Sequence, residues 1–401
     1  VRILFLSQRI PYPPNRGDKI LTWRLVERLS RQHQVTVIAF AHDDGDVAAA
    51  RTLDTERHIP TIAIPYDERW AKAKALPRLL GTSPLTLGVY GSRALQREVD
   101  KRLPGTDLVY GFSSSMGAFT LDAPGVAKVM HFAELDSDKW RQYAEREPFP
   151  KSLIYAREHK TLLAFERRLA AECDENVLCT PLEQRIFREQ IPGVSSAVLE
   201  NGVDLAFFAP VPGREVTPGE LVFTGVMNYL PNVDGCTFFV REVLPKIRAE
   251  VPEAHFTIVG SKPTAEVQAL GREPGVTVTG FVDDVRDYLR KAAVSVAPLR
   301  IARGIQNKAL EAMAMGLPVV GSTSATQGIA GTDGEHYVVA DAPDAIAAAV
   351  VRLLRDRAAA EALGARARAY VEAHHDWERN FAGVEQIVER AVERRRHRVR
   401  L

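Results

Sequence analysis

Apolar and polar positions alternate between two textures along the whole chain. Short, nearly continuous apolar runs occupy residues 1–6, 35–40, 61–64, 108–110, 128–131, 176–179 and 197–199, then 220–224, 255–259, 276–279, 294–297, 318–320 and 337–339. Runs this short that do not alternate with polar residues suit strands buried on both faces of a parallel sheet. Between them, apolar residues recur at three- and four-residue steps. Residues 22–30 place Leu21, Leu25, Val26 and Leu29 on one face, and residues 151–173 repeat Leu, Phe and Ala in the same way. Strand–helix alternation of this kind predicts α/β architecture with doubly wound sheets.

A chain of 401 residues exceeds what one core usually organises. Two strand–helix series therefore predict two Rossmann-like domains, 1–199 and 219–375. The segment ENGVDLAFFAPVPGREVTPGE carries four Gly or Pro in its last ten residues and marks a linker at 200–218. Residues 376–401 read as a terminal helix and basic tail, with Phe381, Val384, Ile387, Val388 and Ala391 on one stripe, expected to cross back to the first domain. In the second domain three runs end alike, in Gly225, Gly260 and Gly280. Ligands of open α/β sheets bind at such strand ends, although a tight strand–helix turn also asks for Gly.

Composition narrows the function classes. The chain is 46% apolar and 26% charged, as a soluble globular protein is, and 52 Lys and Arg against 51 Asp and Glu leave no basic excess for nucleic acid. Cys173, Cys179 and Cys236 lack C-x-x-C spacing, which argues against a disulfide scaffold or zinc cluster and for a reducing compartment. The chain has no apolar run long enough to span a bilayer. Its opening apolar run is broken at once by Gln8, Arg9 and prolines, too short for a secretory leader, so a cytoplasmic protein is expected.

The most informative stretch is residues 298–321, PLRIARGIQNKALEAMAMGLPVVG. A buried strand enters a glycine-bearing loop and a helix over 307–315, closed by Gly316 and Pro318. The helix start, beside Arg303 and Lys308, is a place for a phosphate or diphosphate, with the amides of Gly304, Ile305, Gln306 and Asn307 close by. Glu311 shares a helix face with Lys308 and suits ribose hydroxyls, unless the two form only a surface ion pair. A second loop, QRIPYPPNRGDK, holds Gly17, which permits close backbone approach, and Asp18, an acid/base group or a helix cap. His131 ends the run KVMHF and is either a site residue at the sheet edge or a satisfied buried histidine.

Other motifs are weak. No G-x-G-x-x-G, Walker loop or metal-spaced His and carboxylate set is present, and GFSSSMG resembles a nucleophile elbow around Ser115 only loosely. Two regions are locally basic. Between Arg69 and Arg102 eight Lys or Arg, among them Lys72, Lys74 and Arg78, interleave with Trp70 and several leucines, which suits anionic lipid headgroups. The tail 394–400 carries five arginines, lipid-facing or simply solvated.

LENGVDLAFFAP, LVFTGVMNYLPNVDG, HFTIVGSKP, VTVTGFVDDVRDYLRKAAVSVAPLR and KALEAMAMGLPVVGS resemble, in order and spacing, the retaining family 4 glycosyltransferases. More narrowly, SQRIPYPPNRGDKI with GIQNKALEAMAMG resembles the sugar transferases of exosortase (PEP-CTERM) exopolysaccharide loci. The resemblance implies the GT-B fold, two Rossmann-like domains facing across a cleft. It makes Gly17 a diphosphate contact, His131 a neighbour of the donor sugar and Glu311 the ribose-binding glutamate, while Asp18 replaces the family's usual second Gly. The expected donor contacts are Gly17, Gly225, Phe281 and residues 303–308 with Glu311, and the expected catalytic residues His131, Asp18 and Arg303. The family's phosphate clamp falls at Gly225-Val226…Asn232 without its cations, and the first of two paired glutamates is Arg303, so Arg303 and Lys308 are expected to replace the clamp.

The resulting expectation is a metal-independent, retaining hexosyltransferase. It would use a nucleotide diphosphate sugar (UDP by default) and no cofactor, and act on a glycan or lipid-linked acceptor at the inner face of a membrane. The first domain, with Arg69, Trp70, Lys72, Lys74 and Arg78, would lie on the acceptor side. A nucleotide-sugar 2-epimerase and a non-catalytic sugar-nucleotide binding module are the alternatives.

Overall fold

The computed structural model describes every residue except Asn15, Pro212, Arg303 and Leu401, and only the backbone of Val399 and Arg400. The chain folds as two compact units, Val1–Glu200 together with Phe381–Leu401, and Asn201–Asn380. The first holds β1 (Arg2–Ser7), β2 (Gln34–Ala41), β3 (Thr61–Pro65), β4 (Leu108–Phe112), β5 (Ala127–Ala133), β6 (Glu175–Leu178) and β7 (Ala197–Val198). The second holds β8 (Glu220–Thr224), β9 (His255–Val259), β10 (Val276–Gly280), β11 (Val294–Ala297), β12 (Val319–Gly321) and β13 (Val338–Val339). Each unit is built on one parallel sheet, ordered β3-β2-β1-β4-β5-β6-β7 and β10-β9-β8-β11-β12-β13.

The unalternated apolar runs have a direct cause. Leu221 and Phe223 pack with Phe256, Ile258, Val294 and Val296 on one face of the second sheet. Val222, one residue between them, packs on the other face with Val259, Val319, Leu310 and Met313. Because successive strand residues point to opposite faces and helices cover both, each position must be apolar. The first sheet follows the same rule, with Leu4, Leu6, Ile38, Phe40 and Val109 sharing one layer.

Three boundaries differ from expectation. The first helix runs Gly17–Ser30, so Gly17 and Asp18 lie in its first turn rather than in a loop. β5 continues to Ala133, which leaves His131 inside the strand, opposite Phe112 and Val177. The expected linker 200–218 belongs from Asn201 onward to the second unit. Val203 bridges to Asp376, the Arg286 guanidinium lies 3.7 Å from the centre of the Phe207 ring, and Arg368 donates to the carbonyls of Phe208 and Ala314 at 2.7 and 2.6 Å.

The C-terminal helix Val384–Arg400 belongs to the first unit and lies against β4, β5 and β6, burying Phe381, Val384, Ile387, Val388 and Ala391. Its arginines are not a free basic patch. Arg390 and Arg394 pair with Glu175 at 3.0 and 3.1 Å, and Arg395 pairs at 3.0 Å with Asp174, whose side chain is 0% exposed. Among the described residues, no helix is long and apolar enough to cross a membrane.

Candidate functional site

In both sheets the strand order reverses once, between β1 and β4 and between β8 and β11. Neighbouring crossovers leave in opposite directions there, which opens a crevice at the strands' carboxyl ends. The chemistry-bearing side chains of each unit collect at that point.

In the second unit, β8 runs into Gly225, and the loop after β11 leads to the helix Asn307–Ala314. Lys308 from that helix reaches back beside Gly225. Its Nζ donates to Asn232 Oδ1 at 3.0 Å and to Gln306 Oε1 at 3.4 Å, and lies 5.1 Å from the centre of the Phe223 ring. Asn232 is itself fixed by donating to the Val226 carbonyl at 2.9 Å. Among the described residues no carboxylate pairs with Lys308 within 4.0 Å, and Asn307 and Lys308 open the helix, where backbone N–H groups point out of its start. Burial pulls the Lys308 ammonium down to about 8 and pushes the Glu311 carboxyl up to about 7, although each keeps some surface accessible. A cation and an acid shifted this far by burial, side by side at a sheet's switch point, mark a candidate functional site.

The neighbouring positions divide between backbone and side chain. Gly304 takes the left-handed conformation with φ 60°, and Ile305 sinks into the core with Leu310 and Met313, leaving only its backbone near the crevice. Asn307 Oδ1 accepts from Asn201 at 3.4 Å. Phe281, just past β10, is 74% exposed. Arg303 lies outside the described residues. No group of three or more His, Cys, Asp or Glu is placed to hold a metal ion among the described residues.

The strand–Gly endings at Gly225 and Gly260 answer to packing, whereas Gly280 has open space around it and a φ of 73°. Gly225 N–H donates to the Val259 carbonyl at 3.0 Å, and Gly260 N–H donates to the Gly280 carbonyl at 3.2 Å. A Cβ on Gly260 would stand 1.6 Å from the Gly225 oxygen, so the β8 end could not stay where it is. Gly260→Ala is therefore expected to destabilise the second unit by roughly 3 kcal/mol, the upper end for single substitutions, and to weaken nucleotide binding. Thermal unfolding and titration with UDP measure the two effects.

In the first unit the structure corrects two expectations. Asp18 is neither helix cap nor free acid. The helix is capped at Arg16 without a side-chain bond, and Asp18 pairs with Arg16 at 3.1 Å and Arg9 at 3.5 Å. Gly17 opens that helix and is exposed. His131 is 0% exposed, with Nδ1 2.9 Å from the Tyr110 hydroxyl, and burial lowers its value to about 3. Its imidazole is neutral and buried, and Nε2 has no hydrogen-bond partner among the described residues.

What gathers at the β1/β4 crevice is a polar network around Asp136. Gln8 donates to Ser113 Oγ at 2.9 Å and Ser115 Oγ at 2.8 Å, while Ser113, Ser114 and Lys139 donate to Asp136 at 3.2, 3.1 and 2.9 Å. Ser113 is held at φ 72°, an unusual conformation for a residue with a side chain. Ser137 N–H donates to Glu166 Oε1 at 3.3 Å. Burial pushes Asp136 upward, but Lys139 and the two serines outweigh it and hold the carboxyl below its ordinary range. Burial and then the Asp136 charge push Glu166 up to about 8. At neutral pH one carboxyl is ionised and its neighbour protonated, the split that assigns acid and base roles in enzyme sites. Neither Asp136 nor Glu166 stands out in the sequence as a site residue. The available signal was two polar turns, 113–115 and 136–138, following adjacent strands. Among the described residues the Ser115 Oγ receives only Gln8 and has no base hydrogen-bonded to it, which is not the arrangement of an activated nucleophile.

The basic region forms the helix Glu68–Ala75 and the 3₁₀ turn Leu76–Leu80. Arg69, Lys74 and Arg78 are exposed, Lys72 is paired with Glu68 at 2.7 Å, and Trp70, Leu76 and Leu80 are 70, 59 and 96% exposed.

Comparison with known proteins agrees with this architecture. The family model described as glycosyl transferases group 1 matches residues 218–356, which contain the whole β8/β11 site. No curated protein sequence matches the chain. Sucrose-phosphate synthase from Thermosynechococcus elongatus is similar in structure, with TM-score 0.74 and 20% identity over 97% of this chain and 98% of that one. WaaG, a glycosyltransferase involved in lipopolysaccharide biosynthesis, gives TM-score 0.69 at 17% identity over 96% and 99%. Anabaena Alr3699/HepE in complex with UDP gives 0.69 at 14% identity over 97% and 100%. Residues 218–356 thus match a group 1 glycosyl transferase domain, and the chain as a whole has the GT-B fold.

Proposed function

We propose that this protein is a glycosyltransferase that uses a nucleotide diphosphate sugar, UDP-linked by default, and transfers the sugar with retention to a glycan or lipid-linked acceptor. The observation that carries the reading is Lys308. It is a cation without a carboxylate partner among the described residues, at the β8/β11 switch point and inside the matched segment. Structures of Anabaena Alr3699/HepE hold UDP and UDP-glucose, which supports the choice of donor.

Lys308, Arg303 and the amides of Asn307 and Lys308 would face the diphosphate, Glu311 the ribose hydroxyls, and Phe281 the base. As the sugar–phosphate bond breaks, the leaving diphosphate gains negative charge, and donors already in place stabilise it without reorganisation. Retention is then served by a front-face route, in which the leaving phosphate helps to deprotonate the acceptor. Asp136, ionised and partly accessible, takes the place first assigned to His131 and accepts a hydrogen bond from a substrate hydroxyl. A role in exopolysaccharide synthesis follows from the narrower sequence resemblance. Docking on an anionic membrane through Arg69, Trp70, Lys72, Lys74 and Arg78 follows from their exposure; replacing the four cations by Ser should abolish binding to anionic vesicles.

Donor turnover tests the reading. UDP release from UDP-sugars is expected only with acceptor present. Release without acceptor, together with isomerised sugar, would instead identify an epimerase, and binding without turnover a binding module. Asp136→Asn should cut turnover by roughly 100-fold or more, in the range of general acid–base contributions, while leaving UDP affinity unchanged.

A further inference from the structure

A pocket of about 370 Å³ opens in the first unit among Lys74, Arg78, Tyr90, Arg93, Gln96 and Ser115. We propose that it binds the phosphate group of a phosphorylated acceptor. The volume lies at the small end of ligand sites. Three cations line it and no carboxylate does, and among the described residues none of the three forms an ion pair within 4.0 Å. Like charges gathered without an acid repel one another, and an anion relieves that repulsion. A phosphate, with its several acceptor oxygens, matches guanidinium donors best.

The walls are built rather than incidental. Glu158, with a 2% exposed side chain, accepts from Leu85 N–H at 2.7 Å, Thr86 N–H at 2.8 Å and the Thr86 hydroxyl at 2.7 Å, which pins the start of the helix Leu85–Val89. Its neighbour Arg157 donates to the carbonyls of Arg78, Gly81 and Ser83 at 2.5, 2.6 and 3.1 Å, fixing the loop that carries Arg78. A Cβ on Gly88 would lie 2.7 Å from Arg78 Cδ, so glycine is what lets the Arg78 stem cross that helix. Thus the Glu158 carboxylate is spent on two backbone amides and a hydroxyl rather than on the pocket cations.

Position ties the pocket to the chemistry. Ser115, in its lining, belongs to the Gln8–Ser113–Asp136 network, and the Asp136 charge helps raise the Tyr90 hydroxyl after burial does. An acceptor anchored by its phosphate would therefore present its remaining atoms toward Asp136. The same elements expose Leu76 and Leu80, a surface on which a hydrocarbon chain attached to that phosphate would lie. The inference rests on the transferase reading for the word acceptor and on the pocket alone for phosphate binding.

The test is calorimetry on the full chain with the donor site saturated by UDP, titrating inorganic pyrophosphate and farnesyl diphosphate. Both should bind, and Arg78→Ser/Arg93→Ser should weaken both by roughly tenfold or more, as loss of charged hydrogen bonds does, with UDP affinity intact as the control for folding. Lys308→Ala should leave pyrophosphate binding in place. No binding of either probe, or equal affinity in the double variant, overturns the pocket. Farnesyl diphosphate binding tighter than pyrophosphate, with the excess lost in Leu80→Ser, identifies a lipid source; equal binding identifies a soluble phosphorylated acceptor. If UDP itself does not bind, the function reading fails, and pyrophosphate alone still decides the pocket.

Discussion

Nucleotide affinity is expected to peak between pH 7 and 8 and to fall on either side, the limits being set by Glu311 near 7 and Lys308 near 8. A bound diphosphate raises the Lys308 value, so binding takes up a proton above pH 8 and affinity drops by up to about tenfold per pH unit. Ribose hydroxyls donating to Glu311 lower its value, so binding releases a proton below pH 7 and affinity drops as acid is added. Lys308→Ala should lose a charge-assisted contact, about 1.5–3 kcal/mol or roughly 10- to 150-fold in affinity, and should abolish the alkaline limb. Glu311→Gln should abolish the acid limb. UDP has titrations of its own, so each limb is read as the difference between native protein and variant. A limb that survives its own substitution would remove that residue from the site.

Deleting Phe381–Leu401 is expected to unfold the first unit. Phe381, Val384, Ile387 and Val388 are 0–2% exposed, and burying four such side chains is worth about 6–12 kcal/mol, comparable with the 5–15 kcal/mol total stability of a domain. Limited proteolysis should then leave a resistant fragment close to Asn201–Asn380. A point version isolates the electrostatics. Arg395→Ala removes the nearest cation from the fully buried Asp174 carboxylate and should cost about 3 kcal/mol, the low end for a broken buried pair because Lys128 N–H still donates and Arg398 stands 3.6 Å away. Arg396→Ala, at an exposed position, should change stability by less than about 0.5 kcal/mol, and thermal unfolding separates the two.

How far the sequence could be read depended on the range of the interaction. Every predicted strand is present because burial on both faces leaves a mark within a few consecutive residues. The 298–321 stretch was readable for the same reason, since strand, loop, Lys308 and Glu311 are near neighbours along the chain. Features set by distant partners were not. The tail arginines look solvated or lipid-facing until Asp174 and Glu175, more than 200 residues away, come to meet them. Glu166 sits in the middle of a long helix, and only the fold brings it to Ser137 beside Asp136. His131 ends its apolar run, and nothing within that run shows that Tyr110 and Phe112 of the neighbouring strand pack beside it.

The return of Phe381–Leu401 to the first unit also sets an order of events during synthesis. Ribosomes finish Val1–Glu200 first, yet the helix that completes that unit is translated only after all of Asn201–Asn380, a delay of roughly 10–40 s at usual elongation rates. Throughout that interval the sheet face awaiting Val384, Ile387 and Val388 is uncovered, and Asp174 has no arginine to meet. The second unit, contiguous in sequence, is free to fold as it emerges, so the nascent chain matures from its middle outward.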